Sequence, residues 1–276
     1  MAPIGLPREF DPQGGLLVNE EGDLHTLLPD RPASAHKGDC GRTVIYAGSL
    51  GMAGAAMMAA RAALHAGAGL TTVICPRAAM PVLQQEVPNA TCLAAEDQPT
   101  PKCDALLMGC GIAENDDTYA DMMRLKATDA YQVWDAGALN LLAGHPQQLG
   151  ARAVITPHAG EAARLLGWEI PAVLSDKLGA AEALRAKYGC NVVLKSAVTV
   201  MLTADGQQCA LNAVGSPALA KGGSGDALAG ILASLLGQGL PMFDAMRAAC
   251  LWLGLAGIAA GKRCGVRAAL TGDDAR

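Results

Sequence analysis

A chain of 276 residues, 51% of them hydrophobic and only 17% charged, has ample material for a core and suits one large α/β domain or two small ones. Aromatic residues make up only 3%, so that core must be built from Ala, Leu, Val, Ile and Met, with glycines permitting close approach. A net charge of −5 with no basic block speaks against nucleic-acid binding, and 9 cysteines with no Cys-x-x-Cys pair speak against a disulfide or metal framework.

Residues 1–32 read as a peripheral segment, interrupted by Pro3, Pro7, Pro12, Pro29 and Pro32. A short helix ending at Leu27 and Leu28 is its one expected element. No basic start followed by an apolar run succeeds Met1, so no secretory signal is expected. The scattered cysteines then read as small buried hydrophobes in a reducing cytoplasm. Residues 33–276 are expected to form the domain proper.

Thr43, Val44, Ile45, Tyr46 and Ala47 form a β-branched run that predicts a buried strand. A glycine turn at 48–54 follows, then an alanine-rich helix over 55–66 and a second apolar strand over 70–75. This β-turn-α-β unit predicts a parallel sheet. The turn matches neither a dinucleotide fingerprint nor a P-loop, and tight packing alone would also explain it. The same grammar recurs. Strands are expected at 104–108, 132–134, 153–155 and 191–195, with helices at 118–126, up to Leu166, and over 176–188. Gly167 and Gly189 stop the last two. Residues 199–203 and 207–211 flank Ala204-Asp205-Gly206, which predicts a β-hairpin and therefore an antiparallel edge on the sheet. Two apolar helices separated by Gly237, Gly239 and Pro241 close the chain. Its longest uncharged run near that end, 248–261, is short of the roughly 20 residues a membrane span needs, so it reads as a buried core helix.

Lys221-Gly222-Gly223-Ser224-Gly225-Asp226 stands at the start of the first of these helices. A glycine-rich turn opening a helix offers unpaired N–H groups and the positive end of a dipole to an anion. Asp226 is out of place in a pure anion site unless it acts as a base; the alternative is that it caps the helix. Glycine or polar loops also follow the strands at 48–54, 109–111, 135–140 and 156–161, and in open α/β sheets ligands bind at that rim. His158 could bind a ligand or hydrogen-bond the helix start. Glu161 could simply favour the helix dipole. Lys195 could meet a phosphate or reach solvent. Asp135 could hold a ligand or cap the next turn.

The ordered set of His36-Lys37-Gly38, Ala47-Gly48-Ser49, Gly51-Met52-Ala53-Gly54-Ala55, Gly109-x-Gly111, Asp135-Ala136-Gly137-Ala138-Leu139, Thr156-Pro157-His158-x-Gly160-Glu161, Leu194-Lys195 and Lys221 through Asp226 resembles the ADP-dependent NAD(P)H-hydrate dehydratases of the ribokinase superfamily. It covers residues 33–262. The resemblance implies a ribokinase-like α/β/α sandwich and removal of water from the S epimer of hydrated NADH or NADPH, with ADP (or ATP) driving the step and AMP and phosphate released. It implies Asp226 as base and Gly223, Ser224 and Gly225 as the anion hole. Ala55, Gly111, His158 and Asp226 would bind the hydrated nucleotide. Lys195, Ser196, Ala197, Val198, Thr199 and Gly225 would bind ADP. Magnesium would bridge the phosphates, with no protein ligands assigned. A homotetramer, the absence of a fused epimerase domain, a separate epimerase as functional partner, and no membrane or nucleic-acid partner are further expectations. Ser196 stands where the family usually has glycine, and Cys110 where it has proline. Residues 267–276 lack the family's last helix. The rival is a hydroxyethylthiazole-kinase-like enzyme, which would stop at the phosphorylated product; a non-enzymatic nucleotide-binding module would not need Asp226.

Overall fold

The computed structural model describes residues 15–28 and 30–272. Pro3, Pro7, Pro12, Pro29 and residues 273–276 lie outside the described residues. The chain runs β1 (Leu16–Val18), α1 (Asp23–Leu27), β2 (Arg42–Tyr46), α2 (Ala53–His65), β3 (Leu70–Cys75), α3 (Met80–Glu86) and β4 (Thr91–Ala94). It continues through β5 (Ala105–Met108), α4 (Asp116–Lys126), β6 (Tyr131–Trp134), α5 (Gly137–Gly144), β7 (Ala153–Ile155), α6 (Ala159–Leu166) and α7 (Ile170–Ser175). It ends with α8 (Lys177–Tyr188), β8 (Asn191–Leu194), β9 (Thr199–Leu202), β10 (Cys209–Asn212), α9 (Ser224–Gly237) and α10 (Met242–Cys264).

One sheet of ten strands takes the order β1-β10-β9-β8-β7-β6-β5-β2-β3-β4. Strands β4 through β8 are all parallel in this order, and β8, β9 and β10 pair antiparallel. The hairpin expected from Asp205-Gly206 is there, with Gly206 at φ +74°. Outside it lies β1, which the residues alone did not announce: three residues paired parallel with β10, Leu16 opposite Cys209.

Alternate residues of each strand enter opposite layers, as the period of two requires. Ile45, Val73, Val133 and Val154 pack under α2, α9 and α10. Their neighbours Val44, Ile74, Trp134 and Ile155 pack under α4, α5, α6 and α8. Both faces of the sheet are therefore covered, which is why its strands read as continuous apolar runs. Burying each such side chain contributes about 1.5–3 kcal/mol. Helix α10 is long and apolar enough to cross a membrane by length and composition, but 56% of its most apolar stretch is buried inside the fold. It packs on α9, β9 and β10.

Besides β1, four elements went unread in the sequence: α3 and β4 within 76–103, α5 and α7. Each is 8 residues or shorter, too brief for a periodic signal. The alanine helix starts at Ala53 rather than 55, because Met52, its N-cap, already turns the chain.

The parallel strands end at one rim. Strand β2 has β3 on one side and β5 on the other, so the direction of winding reverses there. Loops leaving such a switch point diverge and open a crevice. The turns at 48–54 and 109–111 flank it, and α9 begins at the same rim.

Candidate active site

Helix α9 opens on Gly223, with φ +97°, as its N-cap. A Cβ there would fall 2.0 Å from Met58 Sδ, so the chain can pass only as glycine. Among the described residues no side chain caps this helix. Asp226 is its third residue, not its cap, so the capping explanation does not apply. The first-turn N–H groups and the helix dipole together make an anion site. Gly225 keeps it open: a Cβ there would lie 3.3 Å from Lys195 Nζ and 3.7 Å from Asp135 Oδ2.

Beneath that turn lies a knot of charge. Lys195 Nζ donates to Asp135 Oδ1 at 2.6 Å and stands 3.8 Å from Glu161 Oε2. The Thr156 hydroxyl donates to the same Asp135 oxygen at 2.7 Å. Asp135, Thr156 and Glu161 are buried, and the Lys195 side chain is 18% exposed. Lys195 therefore does not simply reach solvent. Burial acts to lower its pKa, but Asp135 and Glu161 outweigh burial and raise it. The Cys110 thiol lies within 4.8 Å of an Asp226 carboxylate oxygen and is pushed far up by its own burial. Asp226 is raised to about 6, first by burial and then by the charge on Asp135, with Cys110 and Lys195 opposing. A carboxylate tuned to that range is ionised at neutral pH yet basic enough to accept a proton.

A cleft of about 750 Å³ opens beside the knot. Lys195, Ser196, Ala197, Thr199, Ser224 and Gly225 line it, together with His158. Val198 does not: it packs against the core. Ser196, in place of the expected glycine, turns inward. Its hydroxyl accepts from Lys177 Nζ at 3.2 Å and bonds the Val198 carbonyl, tightening the loop instead of filling the cleft.

Ala55 and Gly111 meet at the switch-point crevice. Gly111 has φ +66°, and a Cβ there would fall 2.8 Å from both Ala55 Cβ and the Met52 carbonyl oxygen. His158 is the N-cap of α6. Its Nδ1 accepts from the N–H groups of Gly160 at 3.0 Å and Glu161 at 3.3 Å, while Glu161 Oε2 accepts from the His158 N–H at 2.8 Å. His158 thus hydrogen-bonds the helix start, and its ring, largely exposed, also stands on the cleft wall.

The residues did not announce Cys110, nor the far wall of the cleft. That wall comes from Asn212, the loop at 213–217 and Cys250, Leu253 and Gly254 of α10. A signal for it existed. Gly254 and Gly257 sit three apart on an apolar helix, and Cβ atoms there would fall 2.2 Å from the Val214 carbonyl oxygen and 2.5 Å from Leu219 Cγ. Those glycines let the loop lie on α10.

Cys110, Asp135 and Asp226 bring one ligand atom each within 4.8 Å of one another. This donor set does not suit Mg²⁺, which takes oxygen ligands in octahedral array, since one donor is a thiol and Lys195 already neutralises Asp135.

A family model described as NAD(P)H-hydrate dehydratase matches residues 43–274. The bifunctional NAD(P)H-hydrate repair enzyme Nnr of Vibrio cholerae is 39% identical over 243 residues, covering 86% of this chain and 48% of that protein. The chain thus spans about half the length of that relative. The ADP-dependent (S)-NAD(P)H-hydrate dehydratase of Neisseria meningitidis is 34% identical over 242 residues, covering 83% of this chain and 79% of that protein. Among solved structures, the ADP/ATP-dependent NAD(P)H-hydrate dehydratase of Bacillus subtilis, co-crystallised with ATP and Mg²⁺, superposes with a TM-score of 0.83 at 26% identity, covering 93% and 94% of the two chains.

Proposed function

The chain belongs to the NAD(P)H-hydrate dehydratase family, with its ribokinase-like fold, and from that premise we propose that it uses ADP to convert the S epimer of hydrated NADH or NADPH back to the reduced nucleotide, releasing AMP and phosphate. The observation that carries this reading is the placement of a raised-pKa carboxylate, Asp226, in the first turn of an uncapped helix beside a nucleotide-sized cleft.

Hydroxide is a poor leaving group, and phosphate is a good one. Asp226 takes the proton of the ring hydroxyl as its oxygen attacks the terminal phosphorus of ADP. The phosphorus–oxygen bond to AMP breaks and AMP departs with the electron pair. The ester's carbon–oxygen bond then breaks, phosphate leaving the ring with the electron pair and taking up the proton lost from the neighbouring carbon, and the ring double bond returns. The open N–H groups of the first turn of α9 stabilise charge on the phosphoryl group in flight. Lys195 supplies a fixed positive charge at the same place. Gly111 and Ala55 shape the floor for the hydrated ring, and residues 195–199 with Gly225 form the nucleotide side. Magnesium, in this reading, would arrive with the nucleotide and offset the charge of its phosphates, with no ligand from this chain. An epimerase activity supplies the S epimer from the R epimer.

The test mixes the protein with hydrated NADH, ADP and magnesium. Return of dihydronicotinamide absorbance with stoichiometric AMP supports the reading. A stable phosphorylated product without that absorbance would favour the small-molecule kinase instead, and no reaction with either ADP or ATP would overturn both.

A further inference from the structure

Asp135 takes no part in the reaction proposed above, yet it is almost wholly buried, and a buried carboxylate is retained only if it is paired. It and its two partners come from the ends of three strands adjacent in the sheet. Asp135 follows β6, Thr156 follows β7 and Lys195 follows β8. The Lys195 backbone is fixed as well, its N–H donating to the Pro157 carbonyl at 2.8 Å. Above the trio sits Gly225, whose missing side chain leaves both Lys195 Nζ and Asp135 Oδ2 facing the first turn of α9.

We infer that Asp135 is a positioning residue: anchored by Thr156, it holds the Lys195 ammonium beneath the first turn of α9, where that ammonium meets the nucleotide phosphates. A lysine stem has four rotatable bonds, and its ammonium is a point charge without directional preference of its own. Held at 2.6 Å by a carboxylate that is itself hydrogen-bonded, it is pre-organised for an incoming anion. Released, it would swing to Glu161, the next carboxylate at 3.8 Å, or out into the cleft.

The same arrangement acts on Asp226. The groups facing Asp226 are Asp135 beyond β6, Cys110 beyond β5, Lys195 beyond β8 and Glu161 on α6; Lys195 also faces Cys250 of α10. Removing the Asp135 charge should therefore move the Asp226 titration down, and removing the Lys195 charge should move it up. A group that merely filled space would shift neither.

This inference rests on the nucleotide role given to Lys195, so the experiment is chosen to read without turnover. ADP binding is measured by calorimetry on the intact chain in a cycle of Asp135→Asn, Lys195→Met and the double variant. Asp226 is followed by ¹³C NMR, its signal assigned by Asp226→Asn. Asp135→Asn is expected to weaken ADP at least tenfold and Lys195→Met at least as much, with the double variant no worse than Lys195→Met alone. The Asp226 midpoint should fall in Asp135→Asn and rise in Lys195→Met. Additive losses, ADP affinity within twofold of the parent in Asp135→Asn, or midpoints that move together would overturn the inference. Should Asp135→Asn not fold, Thr156→Val takes its place, with a threefold loss expected in the parent and none in Lys195→Met; Thr156→Ser should restore the parent value. Failure to turn over hydrated NADH would sink the dehydratase reading and leave this cycle to decide Asp135 by itself.

Discussion

Two helices of this fold start at the same rim with an acidic residue in the same position, and they end up with opposite properties. In α6 the cap is His158 and the third residue is Glu161; in α9 the cap is Gly223 and the third residue is Asp226. Glu161 reaches back to the His158 N–H while the imidazole takes the N–H groups of Gly160 and Glu161, a reciprocal capping box. The first-turn donors of α6 are thereby consumed within the protein. Gly223 has no side chain to offer, and Asp226 is turned toward Cys110 rather than back to the cap. The Ser224 N–H makes only a long 3.5 Å bond to the Lys221 carbonyl, and those of Gly225 and Asp226 stay available. A closed helix end builds structure, and an open one is free for an anion. The difference lies in what the cap residue can reach, not in the acidic residue.

The sharpest way to break this comparison is Asp226→Asn. If Asp226 is the base, turnover of hydrated NADH should fall by roughly 10²–10⁴-fold while ADP affinity by calorimetry stays within a few-fold. In the parent protein, kcat/KM should drop as the pH falls below about 6, since the base must be ionised to act. A flat profile between pH 5 and 8 would remove Asp226 from that role.

Gly223→Ala tests the open end itself. It forces a β-carbon into left-handed backbone and onto Met58, and should cost about 2 kcal/mol or more in denaturant unfolding. ADP binding should be lost with it. Parent-like ADP affinity in this variant would mean that α9 does not form the anion site.

Asp226 should also be costly to the fold. Its pKa is about 6 in the folded chain against a model-peptide value of 3.8, so the folded state binds the proton more tightly. The resulting stability is complete below the unfolded value and is lost as pH rises through about 6. Asp226→Asn should accordingly unfold later than the parent at pH 8, by on the order of 2 kcal/mol, with the advantage gone by pH 4. An equal gain at both pH values would point to packing rather than charge.

The smallest effect expected is at α6. His158→Ala should cost about 1 kcal/mol through the lost cap, and His158→Asn, also a good cap, should recover most of it. The ligand role separates from the cap if hydrate binding weakens more than ADP binding in both variants. Recovery of hydrate affinity together with stability in His158→Asn would reduce His158 to a cap.

Much of this architecture was legible from short stretches. Ile45 and its neighbours read as a strand, Asp205-Gly206 as a hairpin, and the glycines from 222 to 225 as a helix opening, because each depends on contacts within a few residues. Gly254 and Gly257 carried a signal too, but its meaning depends on the loop at 213–217 lying across them. Val198 neighbours the cleft residues in sequence, yet its side chain packs against the core, a placement its position in the chain does not reveal.

The amino-acid order by itself determined the α/β alternation, the burial of the sheet on both faces, the loops at its rim and the open glycine start of α9, since backbone propensity, period and positive φ are local properties. Only the tertiary structure decided that Asp135, Thr156 and Lys195 form one chain of contacts, that Cys110 meets Asp226, and that β1 joins β10. These partners lie 21 to nearly 200 positions apart and are chosen by strand order, and no local preference encodes which strand ends become neighbours. Asp226 thus stood out in the sequence as a carboxylate needing an explanation, but what raises its pKa, burial first and then the charge on Asp135, was decided by the fold.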